Sequence, residues 1–260
     1  MPLGVVLVGL IVGFLIGLTG MGGGAMMTPI LLWTGWVAPT VAVGTDLVWN
    51  ALTKTVGAAV HYRHKNVNLR LVWKLASGSI PGALLGLYLL SLLKKSAGAA
   101  YVDHLIVHML GGALILVAIG ITAKGYVRSW LPETVAARVA TDENLRGWQI
   151  PLLGFVVGVL VSFTSVGSGS LIVTTLLLMF PGERLNRLVG SDVFHGVLIV
   201  GVAALGHWHL GDVNLPLVSG LLVGSVPGVW LGSFIASQIP EGSLRPAVAI
   251  LLFVTGVNLL

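Results

Sequence analysis

"GTDLVWNALTKTVGAAVHYRHKNVNLRLVWKLASGSIPGALLG", residues 44–86, returns later in the chain as "GSDVFHGVLIVGVAALGHWHLGDVNLPLVSGLLVGSVPGVWLG", residues 190–232. Without a gap the two share about 18 of 43 positions, including G-[TS]-D, a late histidine, V-N-L and G-S-x-P-G. The stretches ahead of them pair as well, "LTGMGGGAMM" from Leu18 with "FTSVGSGSLI" from Phe163. So many glycines and polar residues kept in order mark an internal duplication. The chain reads as a first membrane repeat at 1–125, a polar linker at 126–146 and a second membrane repeat at 147–260.

Composition sets the solvent. Of 260 residues 56% are hydrophobic and 9% charged, with a mean hydropathy of +0.99. A soluble domain carries about a quarter charged residues, so most of this surface faces lipid. Apolar runs long enough to cross a bilayer recur throughout, which predicts an all-α polytopic membrane protein. The start, "MPLGVVLVGL", has neither a basic n-region nor a small-residue cleavage site and reads as the first membrane segment. Without cysteine there is no disulfide, thiolate ligand or thiol nucleophile. The net charge of +5 sits mostly in loops beside membrane segments, where it orients the chain; no nucleic-acid partner is expected.

Each half reads as a glycine-interrupted segment followed by three spans. These fall at 3–33, 41–61, 71–92 and 103–123, then at 150–179, 188–207, 215–236 and 244–260. The interrupted segments are too long for one span and short for two, which fits short helices that enter and return to one side or a pair of short spanning helices. Charge favours return. If each segment returns, Arg63, Lys65, Arg70, Lys74, Lys124, Arg128, Arg138, Arg146, Arg184, Arg187 and Arg245 share a face opposed only by Lys94 and Lys95. That split is about 11 against 2, against about 8 and 5 if each segment crosses. The halves are then inverted and the linker is cytoplasmic. Loop polarity agrees: "RHKNVNLRLVWK" is basic while its counterpart "LGDVNLPLVSG" has no Lys or Arg.

Broken helix at mid-depth survives only inside protein or beside a watery cavity, and transporters with inverted repeats use such breaks to hold substrate. Here the breaks are "TGMGGG", 19–24, and "TSVGSGS", 164–170. Their glycines leave amides uncovered at new helix N-termini, and hydroxyls stand beside them. Thr19, Gly22, Gly23, Gly24, Thr164, Ser165, Gly167, Ser168 and Gly169 are therefore candidate substrate-binding residues. The competing reading, close helix packing, suits Gly9, Gly13 and Gly17, and Gly154, Gly158 and Ser162, which recur every four residues.

Ionisable residues inside spans give the second signal. Asp46, Asn50, Lys54, Gly57 and His61 share one helical face, and the second copy keeps Asp192 and His207, adds His195 and replaces Lys54 with Val200. Asn50 and Lys54 join the substrate-binding set, Lys54 as an intramembrane cation that attracts an anion; its alternative is to snorkel toward the basic loop. Asp46, Asp192, His61, His195 and His207 are candidates for coupling or gating. Helix capping is the alternative for the aspartates, and an interfacial place for His61 and His207.

Weaker constellations are set aside. His104 and His108 stand at i, i+4 beside Asp103 with no third ligand placed, so no metal site is expected. "VGSGS" does not have the spacing of a serine-hydrolase elbow, and nothing matches an ATP-binding loop. No cofactor is expected. Trp33, Trp36, Trp130, Trp148 and Trp208 fall near span ends as interface anchors, and the prolines of "GSIPG" and "GSVPG" fall inside matching spans.

"GLTGMGGG…TP", "VGTDLVWNALTKTVGAAVH" and "GSIPGALLG" together resemble the sulfite exporter TauE/SafE family of membrane transporters over essentially the whole chain. The resemblance covers Gly20, Gly22, Gly23, Gly24, Gly44, Thr45, Asp46, Lys54, Gly57 and His61. It implies movement of sulfite, sulfonates and related small organosulfur anions across the inner membrane. Thiosulfate-transporting relatives use cysteines on re-entrant hairpins; this chain has none, so that relay does not carry over. The expectation is a multi-pass inner-membrane secondary transporter of a small anion, sulfite or an organosulfonate, with proton coupling open and no enzymatic activity. A passive anion or proton channel is the alternative.

Overall fold

The computed structural model describes residues 3–19, 23–130, 147–167, 169–180, 183, 185–236 and 241–260. Among these there are ten helices and no strand. They are α1 (Leu3–Thr19), α2 (Gly24–Thr34), α3 (Pro39–Arg63), α4 (Leu69–Ala97), α5 (Ala99–Trp130), α6 (Gln149–Thr164), α7 (Ser170–Met179), α8 (Leu185–His209), α9 (Leu215–Ala236) and α10 (Glu241–Leu259). Four of them contain a stretch long and apolar enough to cross a membrane, Leu69–Ala97, Ala99–Thr122, Asn186–His209 and Leu215–Ile235. This is the architecture of a polytopic membrane protein. Large apolar side chains stay exposed along the outside, such as Val56, Leu84, Leu116, Val226 and Phe234, as a lipid-facing surface requires. Trp33, Trp36, Trp148 and Trp208 are exposed near helix ends, where interface anchors belong. Gly20, Gly22, Ser168, Arg184 and most of the linker, 131–146, lie outside the described residues.

Helix ends follow the sequence. Asn68 and Asn214, the asparagines of the two V-N-L motifs, accept from the amides of Leu71 and Leu217 and so cap α4 and α9. Gly35 closes α2 in the left-handed conformation. The start of α3 is held from outside: Asp103 on α5 accepts from both the amide and the hydroxyl of Thr40. That commits Asp103 away from His104 and His108, whose rings stand 4.2 Å apart, and no group of three metal-ligating side chains forms among the described residues.

The repeated motifs turn out to be where one copy grips the other. The backbone N–H of Asn68 donates to the hydroxyl of Ser191, and that of Asn214 to the hydroxyl of Thr45, so V-N-L of each copy meets G-[TS]-D of the other. Trp49 Nε1–H donates to Ser225 Oγ at 3.1 Å; at the matching positions His195 Nε2 and Ser79 Oγ are 2.7 Å apart. These contacts tie the start of α3 to the turn after α8, and the start of α8 to the turn after α3. The two helices therefore lie side by side and antiparallel.

Glycines set the other pairings. On α1, Gly9, Gly13 and Gly17 lie against the backbone of Leu221, Ser225 and Val229 on α9; in return Gly224, Gly228 and Gly232 lie against Val6, Leu10 and Phe14. Gly78 and Gly82 on α4 press in the same way on Pro151 and Phe155 of α6, and Gly154 and Gly158 press back on Leu75 and Ser79. A methyl at these positions would overlap a backbone oxygen. The four-residue glycine spacing is thus a helix-crossing device, the close approach small residues permit in lipid. Helices α5 and α10 also pack on each other, with Gly111 against Gly256.

The broken segments fold back. At the start of α1, Gly4 lies against the ring of Trp36, two residues beyond α2. Ile150 near the start of α6 and Phe180 just after α7 line one cavity with Asn68 and Arg70. Trp36 stands beside the start of α3, whereas Asn68 lies beyond its end. A 25-residue helix is about 37 Å long.

Candidate substrate site at the helix breaks

The two breaks meet inside the bundle. Gly24 at the start of α2 lies against the carbonyl of Ser165, just after α6, and within reach of the Asn50 amide. Only a residue without Cβ allows that contact. Gly23 is pressed on the Trp49 ring. In the second break Ser165 has φ +58°, Gly167 +132° and Gly169 +128°. The latter two favour glycine, and Ser165 holds a left-handed conformation that costs a serine energy. Glycine stands at the N-cap of both α2 and α7, Gly23 and Gly169, so neither helix start is capped by its own side chain.

Around this junction stand polar side chains that water does not reach. Asp46, Asn50, Ser165, Asp192 and His195 are each at most 2% exposed. Asp46 Oδ2 accepts from Thr28 Oγ1 at 2.5 Å, and the Ser165 hydroxyl lies beside the same carboxylate. Asp192 lies beside the Gly169 amide. Asp46 Oδ1, both amide atoms of Asn50, Ser165 Oγ, Asp192 Oδ1 and His195 Nδ1 have no hydrogen-bond partner among the described residues. An unsatisfied buried polar atom costs about 1–3 kcal/mol, so such a concentration makes the junction the candidate site.

Lys54 joins them. It is 8% exposed and runs against Gly196 on α8, in the field of Asp192 and then of Asp46. It does not snorkel to the loop beyond His61. Nor do the aspartates cap: each is the eighth residue of its helix, inside the first turns and turned to the junction. The repeat is least symmetric here. Asn50 faces from the position that Gly196 holds in the other copy, Lys54 from that of Val200, Trp49 from that of His195.

Other candidates sit elsewhere. Thr164 donates its hydroxyl to the carbonyl of Leu160 at 2.7 Å, so that proton stays in the hairpin backbone. Thr19 ends α1, its side chain outside the described set, as are Gly22 and Ser168. His61 is half-buried beside Gly190. His207 is fully buried and donates Nε2–H to the Ser162 carbonyl at 2.8 Å, away from the interfacial place that is the alternative to a coupling role. Its Nδ1 stands 3.6 Å from Asp212, which also receives Lys94 at 2.5 Å. Burial works to raise the Asp212 carboxyl, but its contacts with His207 and Lys94 outweigh that and hold it below the ordinary carboxylate range. Lys94 thus serves an ion pair on its face of the protein. Thr28, Trp49, Ser79 and Ser225 belong to the braced surroundings of the junction and were not singled out from sequence. For Trp49 and Ser225 the repeat alignment held a signal, since both occupy positions aligned with His195 and Ser79.

The family model for sulfite exporter TauE/SafE matches residues 5–259. The probable membrane transporter protein YjnA of Bacillus subtilis is 39% identical over the whole of both chains. The probable membrane transporter protein YdhB of the same organism is 24% identical across 98% of this chain and 99% of its own. A probable membrane transporter protein of Haemophilus influenzae is 23% identical over 97% and 96% of the two chains. No solved structure matches. A match of that extent, on a helical chain built of apolar spans, places the protein in the sulfite exporter TauE/SafE family, as a membrane transporter and not an enzyme.

Proposed function

We propose that this chain is a secondary transporter of a small anion, sulfite or an organosulfonate, working by alternating access between two inverted repeats in the inner membrane. The observation that carries the reading is the junction of the two breaks: the start of α2 meets the end of α6 among buried polar groups that have no hydrogen-bond partner among the described residues. Amides and hydroxyls at such ends suit an oxyanion, and Lys54 adds the charge. Inversion is supported by three features. The corresponding helices α3 and α8 are antiparallel; each repeat's first helix packs on the fourth-position helix of the other; and the hairpins open toward opposite ends of α3. A membrane transporter with inverted repeats alternates access by rocking one bundle against the other around a fixed site.

Charge at the junction bears on coupling. Asp46 and Asp192 bring two carboxylates against one ammonium from Lys54. An anion entering beside them needs a further positive charge, and a proton on Asp46 or Asp192 supplies it. Proton movement with the anion follows, with His195 facing the same space.

Purified protein in proteoliposomes, offered sulfite, sulfate, thiosulfate, sulfoacetate, taurine and acetate, tests the substrate class. Saturable uptake of sulfite or a sulfonate at least 10-fold above acetate is expected; equal uptake of all six contradicts the proposal. Topology is checked separately with reporters fused after Trp36 and after Glu183. They should report opposite faces of the membrane; the same face would refute inversion.

A further inference from the structure

We infer that the end of the bundle carrying Lys94 is latched by an ion pair between the two repeats, and that a proton on His207 releases it. Lys94, near the end of α4 in the first repeat, donates at 2.5 Å to both carboxylate oxygens of Asp212, in the turn between α8 and α9 of the second. On its other side Asp212 Oδ2 stands 3.6 Å from Nδ1 of His207, in the last turn of α8, just beyond hydrogen-bond reach. The surroundings fix the His207 tautomer. Nε2 faces the Ser162 carbonyl at 2.8 Å, and a carbonyl only accepts, so Nε2 carries the hydrogen. In the neutral ring Nδ1 is then a lone pair turned to a carboxylate, and it has no hydrogen-bond partner among the described residues. A proton on Nδ1 makes that contact a charge-assisted hydrogen bond. Asp212 thus has two competing partners, Lys94 across the repeats and the His207 imidazolium within its own.

Lys94 and His207 are the charged or titratable side chains whose influence Asp212 feels. From α3 it is Gly44 that lies against the Asp212 carbonyl and the His207 Cβ, and from α6 the Ser162 carbonyl faces the ring; neither titrates. Asp212, held below the ordinary carboxylate range despite its burial, stays charged between about pH 5 and 8, where histidine side chains change charge. Once the ring is charged, the ammonium meets a second cation across one carboxylate, and the Lys94 side chain, 21% exposed, has water to turn to. The ring also reaches inward. Ser162 lies three residues before Ser165, whose carbonyl abuts Gly24, so His207 joins the latch to the junction. The other end of the bundle gives the contrast. Its frame is the same, Gly190 lying against the Asn66 carbonyl and His61 as Gly44 does against Asp212 and His207. In the register of the repeat, however, Asp212 matches Asn66 and Lys94 matches Pro240, neither of them charged. The fold therefore needs no ion pair at this position, and a device confined to one end lets protons on one side of the membrane decide when that end opens. The inference deepens the alternating-access reading and rests on it.

Distances between spin labels test it, on a chain that has no cysteine of its own. Lys95→Cys beside the latch and Leu215→Cys at the start of α9 put the labels at exposed positions. In nanodiscs of this doubly labelled parent, the population at longer distance should grow at least three-fold between about pH 8 and pH 5. With His207→Gln, whose amide still offers Ser162 a donor, the short distance should persist at both pH values. Lys94→Gln and Asp212→Asn break the pair from either end, so in each the long distance should dominate at both; using two variants guards against one that misfolds. A distance in the parent that ignores pH, the same pH step in His207→Gln, or a short distance kept by both Lys94→Gln and Asp212→Asn overturns the proposal. Sulfite uptake by the labelled parent in proteoliposomes reports on transport separately. A pH step without saturable uptake removes the transport reading and keeps the proton-sensitive contact; uptake without a pH step removes the latch alone.

Discussion

Lys54→Ala lowers anion uptake by about 100-fold while the protein stays monodisperse. At roughly 5 Å from an anion, in a partly hydrated protein interior with an effective dielectric near 20, an ammonium contributes about 3 kcal/mol, which is about two orders of magnitude. Lys54 is the cation that the bundle keeps buried at the junction, and its counterpart in the other copy is a valine. The substitution also leaves space against Gly196, so Lys54→Met, which keeps the stem, separates charge from packing. Uptake should fall about equally in both variants. Wild-type uptake in Lys54→Met would mean that the amine takes no part.

The second large effect is structural. Gly78→Ala and Gly224→Ala each put a methyl on a backbone carbonyl, of Pro151 and of Val6. Backbone cannot move aside as a long side chain can, so α4 must lift from α6, or α9 from α1, along several turns at once. A loss of about 3 kcal/mol or more is expected, a drop of roughly 10 °C in a detergent thermal-unfolding assay. Gly201→Ala is the control: nothing lies within 4 Å of its Cβ position, and alanine favours helix over glycine by about 1 kcal/mol. It should be neutral or stabilising. Equal losses at all three positions would mean that the glycines serve flexibility and not contact.

The contrast between these glycines shows where sequence runs out. The four-residue spacing of Gly9, Gly13 and Gly17 announced a packing face, because small residues at that period line one side of a helix. It could not say that the partner is α9, more than 200 residues on. The duplication, the spans and the helix breaks were legible because each rests on a local pattern: matched motifs, apolar length, dense glycine. Observed helices run a few residues past the expected spans, as α4 does to Ala97, since length in lipid sets a minimum and not an end. In the same way the polar face of α3 could be drawn from Asp46, Asn50 and Lys54, but what faces it depends on how α8 docks.

Motif conservation between the halves was visible, and its cause was not. V-N-L and G-[TS]-D recur because each copy's asparagine caps its own helix and donates to the other copy's hydroxyl. The cap needs the asparagine side chain, whereas the bond to the other copy is donated by its backbone amide. Asp103 shows the opposite case. Its place beside two histidines gave it no role in the sequence, and its partners, both Thr40 groups, lie 63 residues away along the chain.

If one site serves both faces in turn, trans-stimulated exchange reveals it. Proteoliposomes loaded with unlabelled sulfite and diluted into a trace of labelled sulfite should accumulate label transiently above equilibrium, because a carrier returns faster when loaded. Lys54→Ala should abolish that overshoot. Label that only relaxes to equilibrium, at a rate indifferent to the internal anion, would make the protein a channel and contradict alternating access.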